Sequence, residues 1–251
     1  MMKPSTGIVS GLKPSDRSGR LANFESLNQE IIACRKCPRL VSWREEVART
    51  KRKAFQDWDY WGKPVPGFGD PLARVLVVGL APGAHGSNRT GRQFTGDGSG
   101  GFMYPALFRA GFANQATSTS REDGLSLRDM YISAAVRCAP PGNKPTPEEL
   151  DTCQPYLERE IELLQPKVIV TLGRIAFDRI IRIYFPKVDK NLKELKRPAA
   201  MVFGHGAVYQ LDKETRLLCS YHPSQQNTLT GKLTVKMFDR IWEKARELTS
   251  A

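Results

Sequence analysis

RVLVVGLAPGAHGSNRTGRQFTGDGSGGF, residues 74–102, opens on an apolar run and turns abruptly to glycine, polar and charged residues. A short run with no polar alternation is the mark of a strand buried on both faces. Three more runs of this kind follow: MYISAAV (130–136), KVIVTLG (167–173) and RLLCSY (216–221). Helical periodicity fills PEELDTCQPYLEREIELL (147–164) and GKLTVKMFDRIWEKAREL (231–248). Buried strands alternating with helices predict an α/β fold, a three-layer α/β/α sandwich with a central, mainly parallel four-stranded sheet. In such sheets the ligand crevice lies beyond the carboxyl ends of the strands. GLAPGAH, RCAPPGNKPTPEE and HPSQQNTLTG each follow a strand directly, so they are expected to converge on one rim.

The chain of 251 residues is 40% hydrophobic, enough for a substantial core. Its 38 Lys and Arg against 26 Asp and Glu leave a formal charge of +12, which favours encounter with a polyanion such as nucleic acid. No apolar run approaches the roughly 20 residues of a membrane span. MMKPSTGIVSGLKPSDRSGR lacks the apolar segment of a secretory signal, so a cytoplasmic monomer without membrane contact is expected. Rich in Pro, Ser and Gly, residues 1–22 read as a disordered tail, leaving a single domain over 23–251. NFESLNQEIIACRKC and RLVSWREEVART read as helices; RTKRK (49–53) is a solvated helix end or a DNA contact. The aromatic, Gly- and Pro-containing FQDWDYWGKPVPGFGDP reads as a loop packed over the domain.

Five cysteines in a cytosolic chain are poor material for a disulfide framework. Cys34 and Cys37 form a C-x2-C pair, and Cys138 and Cys153 flank the end of a strand and the following helix. Four thiolates so grouped can hold zinc or a 4Fe-4S cluster, and spacing alone does not choose between them. Cys219, inside an apolar strand, reads as an inert buried thiol.

The frame C-x2-C, VRCAPPGNKPTPEEL and TCQPYLEREIELLQPKVIVTLG resembles the iron–sulfur uracil-DNA glycosylases of families 4 and 5. HGSNRTGRQFTGDGSG with HPSQQNTLTG is similar to family 5 in particular, and the likeness spans about residues 28–245. The resemblance implies a 4Fe-4S cluster on Cys34, Cys37, Cys138 and Cys153. It also implies a DNA repair glycosylase, monofunctional since no lysine can be given a nucleophilic position.

Such an enzyme must flip the damaged nucleotide, hold its base and stabilise the charges that separate as the glycosidic bond breaks. Phe94, in GRQFTG, is the candidate stacking ring, with loop anchoring as its structural alternative. His222, just past the fourth strand, can donate to the carbonyl oxygen of the departing pyrimidine, a role worth roughly 3 to 4 kcal/mol. Family 4 has an acidic residue where this chain has Leu80, which leaves Asp97, in FTGD, to orient water or stabilise the cationic sugar. Family 4 also has an amide where this chain has Ala134. Without that amide uracil would be discriminated less strictly, and the family 5 resemblance implies a broader base range, with hypoxanthine and 5-hydroxymethyluracil beside uracil. Gly83, His85, Asn88 and Asn143 are the further candidates at the base. Arg89 and Arg92 either bind phosphate or fix their loop. Ser224, Gln225, Gln226, Asn227 and Leu229 are expected against the duplex, with Leu229 a wedge or a loop-packing residue. Two other classes fit the same chain: a non-catalytic iron–sulfur protein that binds DNA and senses redox state, and a zinc-stabilised nucleotide hydrolase.

Overall fold

A computed structural model describes residues 17–186 and 201–250. In chain order, helices α1 (Arg17–Ile32) and α2 (Pro38–Thr50) precede strands β1 (Phe68–Gly69) and β2 (Val75–Gly79). Then come α3 (Ser87–Thr90), α4 (Gly98–Arg109), β3 (Met130–Ala134), α5 (Pro147–Leu164), β4 (Val168–Leu172) and α6 (Arg174–Tyr184). Strands β5 (Val208–Gln210) and β6 (Arg216–Ser220) lead to α7 (Gln225–Leu229) and α8 (Val235–Ser250). Among the described residues no helix is long and apolar enough to cross a membrane.

The four apolar runs are the four parallel strands, in the order β3-β2-β4-β6. Two short strands the sequence did not announce close the edges antiparallel, β1 beside β3 and β5 beside β6, giving a six-stranded mixed sheet. Every residue of β2, β3 and β4 is buried, because helices cover both faces. Alternation sorts the side chains. Val75 and Val77 pack with Met103 and Leu107 of α4 and Phe238 and Trp242 of α8. Leu76 and Val78 face Leu157 of α5, Phe177 and Ile180 of α6, and Phe24 of α1.

Helix α5 starts and stops where its sequence says. Thr146 accepts from the Glu149 N–H while Glu149 reaches back to the Thr146 N–H, a full capping box with Pro147 at the first turn. The expected tail boundary at residue 22 is corrected: α1 begins at Arg17, since the buried Phe24, Leu27 and Ile31 give one face of the helix a core to pack on. Residues 1–16 lie outside the described residues. Helix α4 begins inside the glycine run and carries Pro105 within it.

Candidate active site

The carboxyl ends of the parallel strands are level. Gly79 pairs with Ala134 and Leu172 with Ser220, and the Gly173 N–H donates to the Ser220 carbonyl at 2.8 Å. The stretches after β2, β3 and β6 therefore leave the sheet on one rim, as expected.

Phe94 and His222 meet there, with ring centroids 5.9 Å apart and planes tilted by 35°. Phe94 sits at φ 51°, a left-handed backbone that a bulky side chain adopts only under constraint. The constraint comes from its neighbours. The Tyr104 hydroxyl donates to the Gln93 carbonyl at 2.8 Å, the Gln93 amide donates to Val65 and Pro66 carbonyls, and Arg92 Nε donates to Thr95 Oγ1 at 2.9 Å. Gly79 ends β2 as glycine because a Cβ there would stand 2.8 Å from the Phe94 ring. Phe94 is largely buried and joins the core beneath α4, so it anchors the loop and faces the histidine at once. The His222 carbonyl accepts from the Asn227 amide at 2.9 Å, which fixes its backbone. Burial holds its imidazole down at about 4, so at neutral pH the ring is uncharged and offers one N–H donor.

Asp97 is the N-cap of α4, its Oδ1 accepting from the Gly100 N–H at 2.9 Å. Its Oδ2 lies against the turn after β2, where a Cβ on Gly86 would fall 2.1 Å away. Burial raises the carboxyl above its ordinary range, against the lowering effect of the Gly100 and Ser99 N–H groups and of Arg89. Gly83 borders the same carboxylate, 3.2 Å from Oδ2 to an added Cβ. His85 Nδ1 lies 3.1 Å from the Tyr60 hydroxyl, and its pKa is lowered by burial and then by the charges of Arg52 and Arg89. Tyr60 carried no mark in the sequence beyond the aromatic loop around it.

For Arg89 and Arg92 the loop-fixing alternative is the one their contacts support. Arg89 is buried between Phe55 and Trp58, its guanidinium carbon 4.0 and 3.9 Å from the two ring centroids. It donates to the carbonyls of His85 and Gly96, 2.8 and 2.9 Å away, tying the ends of the loop together. Arg92 is also buried and holds both oxygens of Asp123 at 2.8 and 2.7 Å. A phosphate could reach neither guanidinium without dismantling these contacts, so both residues fix the loop. Asn88 is fully buried and donates to the carbonyls of Arg44 and Ala84, which removes it from the base. In sequence these side chains read as a polar loop; only burial shows which way they turn.

Ser224 stands at the N-cap position of α7 without a side-chain capping bond, and Gln225 and Gln226 are exposed. The Gln225 amide lies 2.9 Å from where a Cβ on Gly98 would be, so α7 borders the start of α4. Leu229 is 83% exposed, which excludes the loop-packing alternative. Asn143, at φ 57°, is exposed in the short helical turn beyond β3.

Cys34, Cys37, Cys138 and Cys153 line one small cavity between α1, α2, the end of β3 and α5. All are free thiols, and Cys219 is buried in β6 as expected. Burial pushes the Cys138 thiol up to about 11 and Cys153 to about 12, and raises Cys37 as well. Donors point at two of the sulfurs: Arg44 Nη1 lies 2.9 Å from Cys138 Sγ, and the Arg137 N–H lies 3.3 Å from Cys153 Sγ. Among the described residues no three Cys, His, Asp or Glu side chains close up as a single metal ion requires.

Fold and site together define an α/β/α protein with an aromatic and imidazole crevice at the carboxyl rim of its parallel sheet. The family model described as the uracil DNA glycosylase superfamily matches residues 66–246. A type-5 uracil-DNA glycosylase of Mycobacterium leprae is 50% identical over 233 residues, 92% of this chain and 98% of the relative. The type-5 enzyme of Thermus thermophilus is 52% identical over 225 residues, 89% and 97% of the two chains. A type-4 uracil-DNA glycosylase of Sulfurisphaera tokodaii is 28% identical over 228 residues, 90% and 84% of the two chains. The chain belongs to the uracil DNA glycosylase superfamily. Its greater likeness to the type-5 than to the type-4 relative agrees with the family 5 resemblance carried by the motifs.

Proposed function

We propose that this protein is a DNA repair glycosylase that hydrolyses the bond between deoxyribose and uracil, and that it accepts other deaminated or oxidised bases. The observation that carries the reading is the 5.9 Å approach of Phe94 to His222 at the rim where the strands end. A base turned out of the duplex would stack on Phe94 and present a carbonyl oxygen to the His222 N–H. As the glycosidic bond lengthens, its electron pair leaves with the base, and the neutral imidazole donates most strongly to the oxygen that gains charge. Water then adds to the anomeric carbon. Asp97, made more basic by burial, suits either the acceptance of the water's proton or the stabilisation of the cationic sugar. Leu229, exposed at the end of α7, would fill the space the base vacates, and Gln225, Gln226 and Asn227 would lie beside it.

Cys34, Cys37, Cys138 and Cys153 would hold a 4Fe-4S cluster, which would supply a cross-link between the N-terminal helices and the sheet. The donor set suits it: four sulfurs share a cavity, and burial penalises free thiolates there unless a cation takes them. The buried guanidinium of Arg44 needs negative charge beside it and faces Cys138.

The test is release of free base from duplexes carrying uracil, hypoxanthine or 5-hydroxymethyluracil, with abasic sites revealed by alkaline cleavage. Uracil release is expected at the least. Binding without any base release would favour the silent DNA-binding alternative, and a purified protein without the broad visible absorption of an iron–sulfur centre would remove the cluster.

A further inference from the structure

Arg44 lies in the buried stripe Leu40, Val41, Arg44, Val47 of α2, at a position where helical spacing asks for an apolar side chain. It is 2% exposed, and the carboxylate 3.8 Å from it, Glu45, is exposed and paired with Arg35. The second buried guanidinium near the cysteines, Arg137, is different, since its charge is met inside the protein by Glu160. Arg44 turns to the cage instead, with Nη1 on Cys138 Sγ at 2.9 Å and Nη2 on the Cys34 carbonyl at 3.3 Å. A buried charge without an internal counter-charge is strongly disfavoured, so this geometry is built for anionic sulfur.

The same residue reaches the other way. Its main-chain carbonyl accepts from the Asn88 amide at 3.3 Å, and Asn88 is 0% exposed. Asn88 in turn gathers the glycine-rich loop. Its amide also donates to the Ala84 carbonyl, its N–H donates to the Gly83 carbonyl at 3.0 Å, and its carbonyl accepts from Gly62 at 3.0 Å. Gly83 is the residue that borders the Asp97 carboxylate. A continuous path of polar contacts thus runs from Cys138 through Arg44 and Asn88 to the turn beside Asp97.

We propose that Arg44 couples the cysteine cage to the base-binding loop, its guanidinium setting the charge around the cluster and its carbonyl anchoring Asn88. The inference rests on the 4Fe-4S reading given above. Arg44 and Asn88 are positioning residues, and neither touches the base. A cation donating a hydrogen bond to a cysteine ligand stabilises the more negative state of a cluster, so it raises the reduction potential.

The experiment uses the full-length holoprotein and the variants Arg44→Gln, Arg44→Lys and Asn88→Ala. Potential is followed by redox titration of the visible and electron paramagnetic resonance signals, and base release by single-turnover kinetics on a uracil duplex. Arg44→Gln should titrate at a lower potential and Arg44→Lys between it and the parent. Asn88→Ala should keep the parent's potential and spectrum. It loses both side-chain hydrogen bonds, to Arg44 and Ala84, and should release uracil about fivefold to a hundredfold more slowly, with duplex affinity unchanged. If Arg44→Gln fails to assemble, Arg44→Lys reports the potential. Parental potential in an assembled Arg44 variant overturns the electrostatic half, and parental release by Asn88→Ala overturns the coupling. A colourless parent protein would sink the cluster reading itself, while the Asn88→Ala rate would still decide the link to the loop.

Discussion

Replacing His222 by alanine removes everything of the side chain beyond Cβ and opens the space facing Phe94 at the strand rim. The backbone should hold, because the Asn227 amide is bound to the His222 carbonyl and not to the ring. The imidazole is neutral above a pH of about 4, so the parent offers one N–H to the oxygen that gains charge. Loss of such a preorganised donor costs roughly 3 to 4 kcal/mol in the transition state, about a hundredfold to a thousandfold in turnover. A duplex carrying an abasic-site analogue should bind as before, since no base gains charge in that complex. Single-turnover release of uracil at pH 7.5, beside titration of the analogue duplex, measures both quantities. Stability gives a second readout. The folded pKa lies below the unfolded value of 6.5, so the unfolded chain takes up the proton first as pH falls. The parent should therefore lose stability between pH 6.5 and about 4, by at most about 3 kcal/mol, and His222→Ala should lose less over that window. A fall in turnover of less than threefold, or an equal fall in analogue binding, would refute the electrostatic role.

Gly86→Ala would drive a methyl group into Asp97, 2.1 Å from its Oδ2, so uracil release should drop at least tenfold while visible absorption is unchanged. Arg92→Met breaks a buried bidentate pair and should cost about 3 to 5 kcal/mol in urea unfolding, but leave the salt dependence of DNA binding as it was. A salt slope shallower by about one unit would restore Arg92 as a phosphate contact. Leu229→Ala touches no packed neighbour, so melting should be unaffected while release from duplex slows and release from single strands does not. Equal slowing on both substrates would remove the wedge.

The four parallel strands were legible because a strand covered on both faces has no polar side to show, and a continuous apolar run is left in the sequence. Helix α5 was legible because its signals are local, from Thr146 and Pro147 through Glu149. The edge strands were not. Phe68–Gly69 and Val208–Gln210 are two and three residues long and partly exposed, too short for any periodicity. Helix α4 hid behind glycines that raise the cost of a helix but do not forbid one that packs on the core.

The sequence alone determined the four parallel strands, the rim on which chemistry had to gather, and the residue types able to perform it. Tertiary structure decided their orientation. Phe94 and His222 became partners, Arg89, Arg92 and Asn88 turned inward to brace the loop, and Arg44 took a place on the buried face of α2 beside the cysteines. The reason is that a sequence records what each side chain can do, whereas burial and the groups it meets across distant stretches decide which of those capacities is spent on holding the fold and which is left facing the ligand.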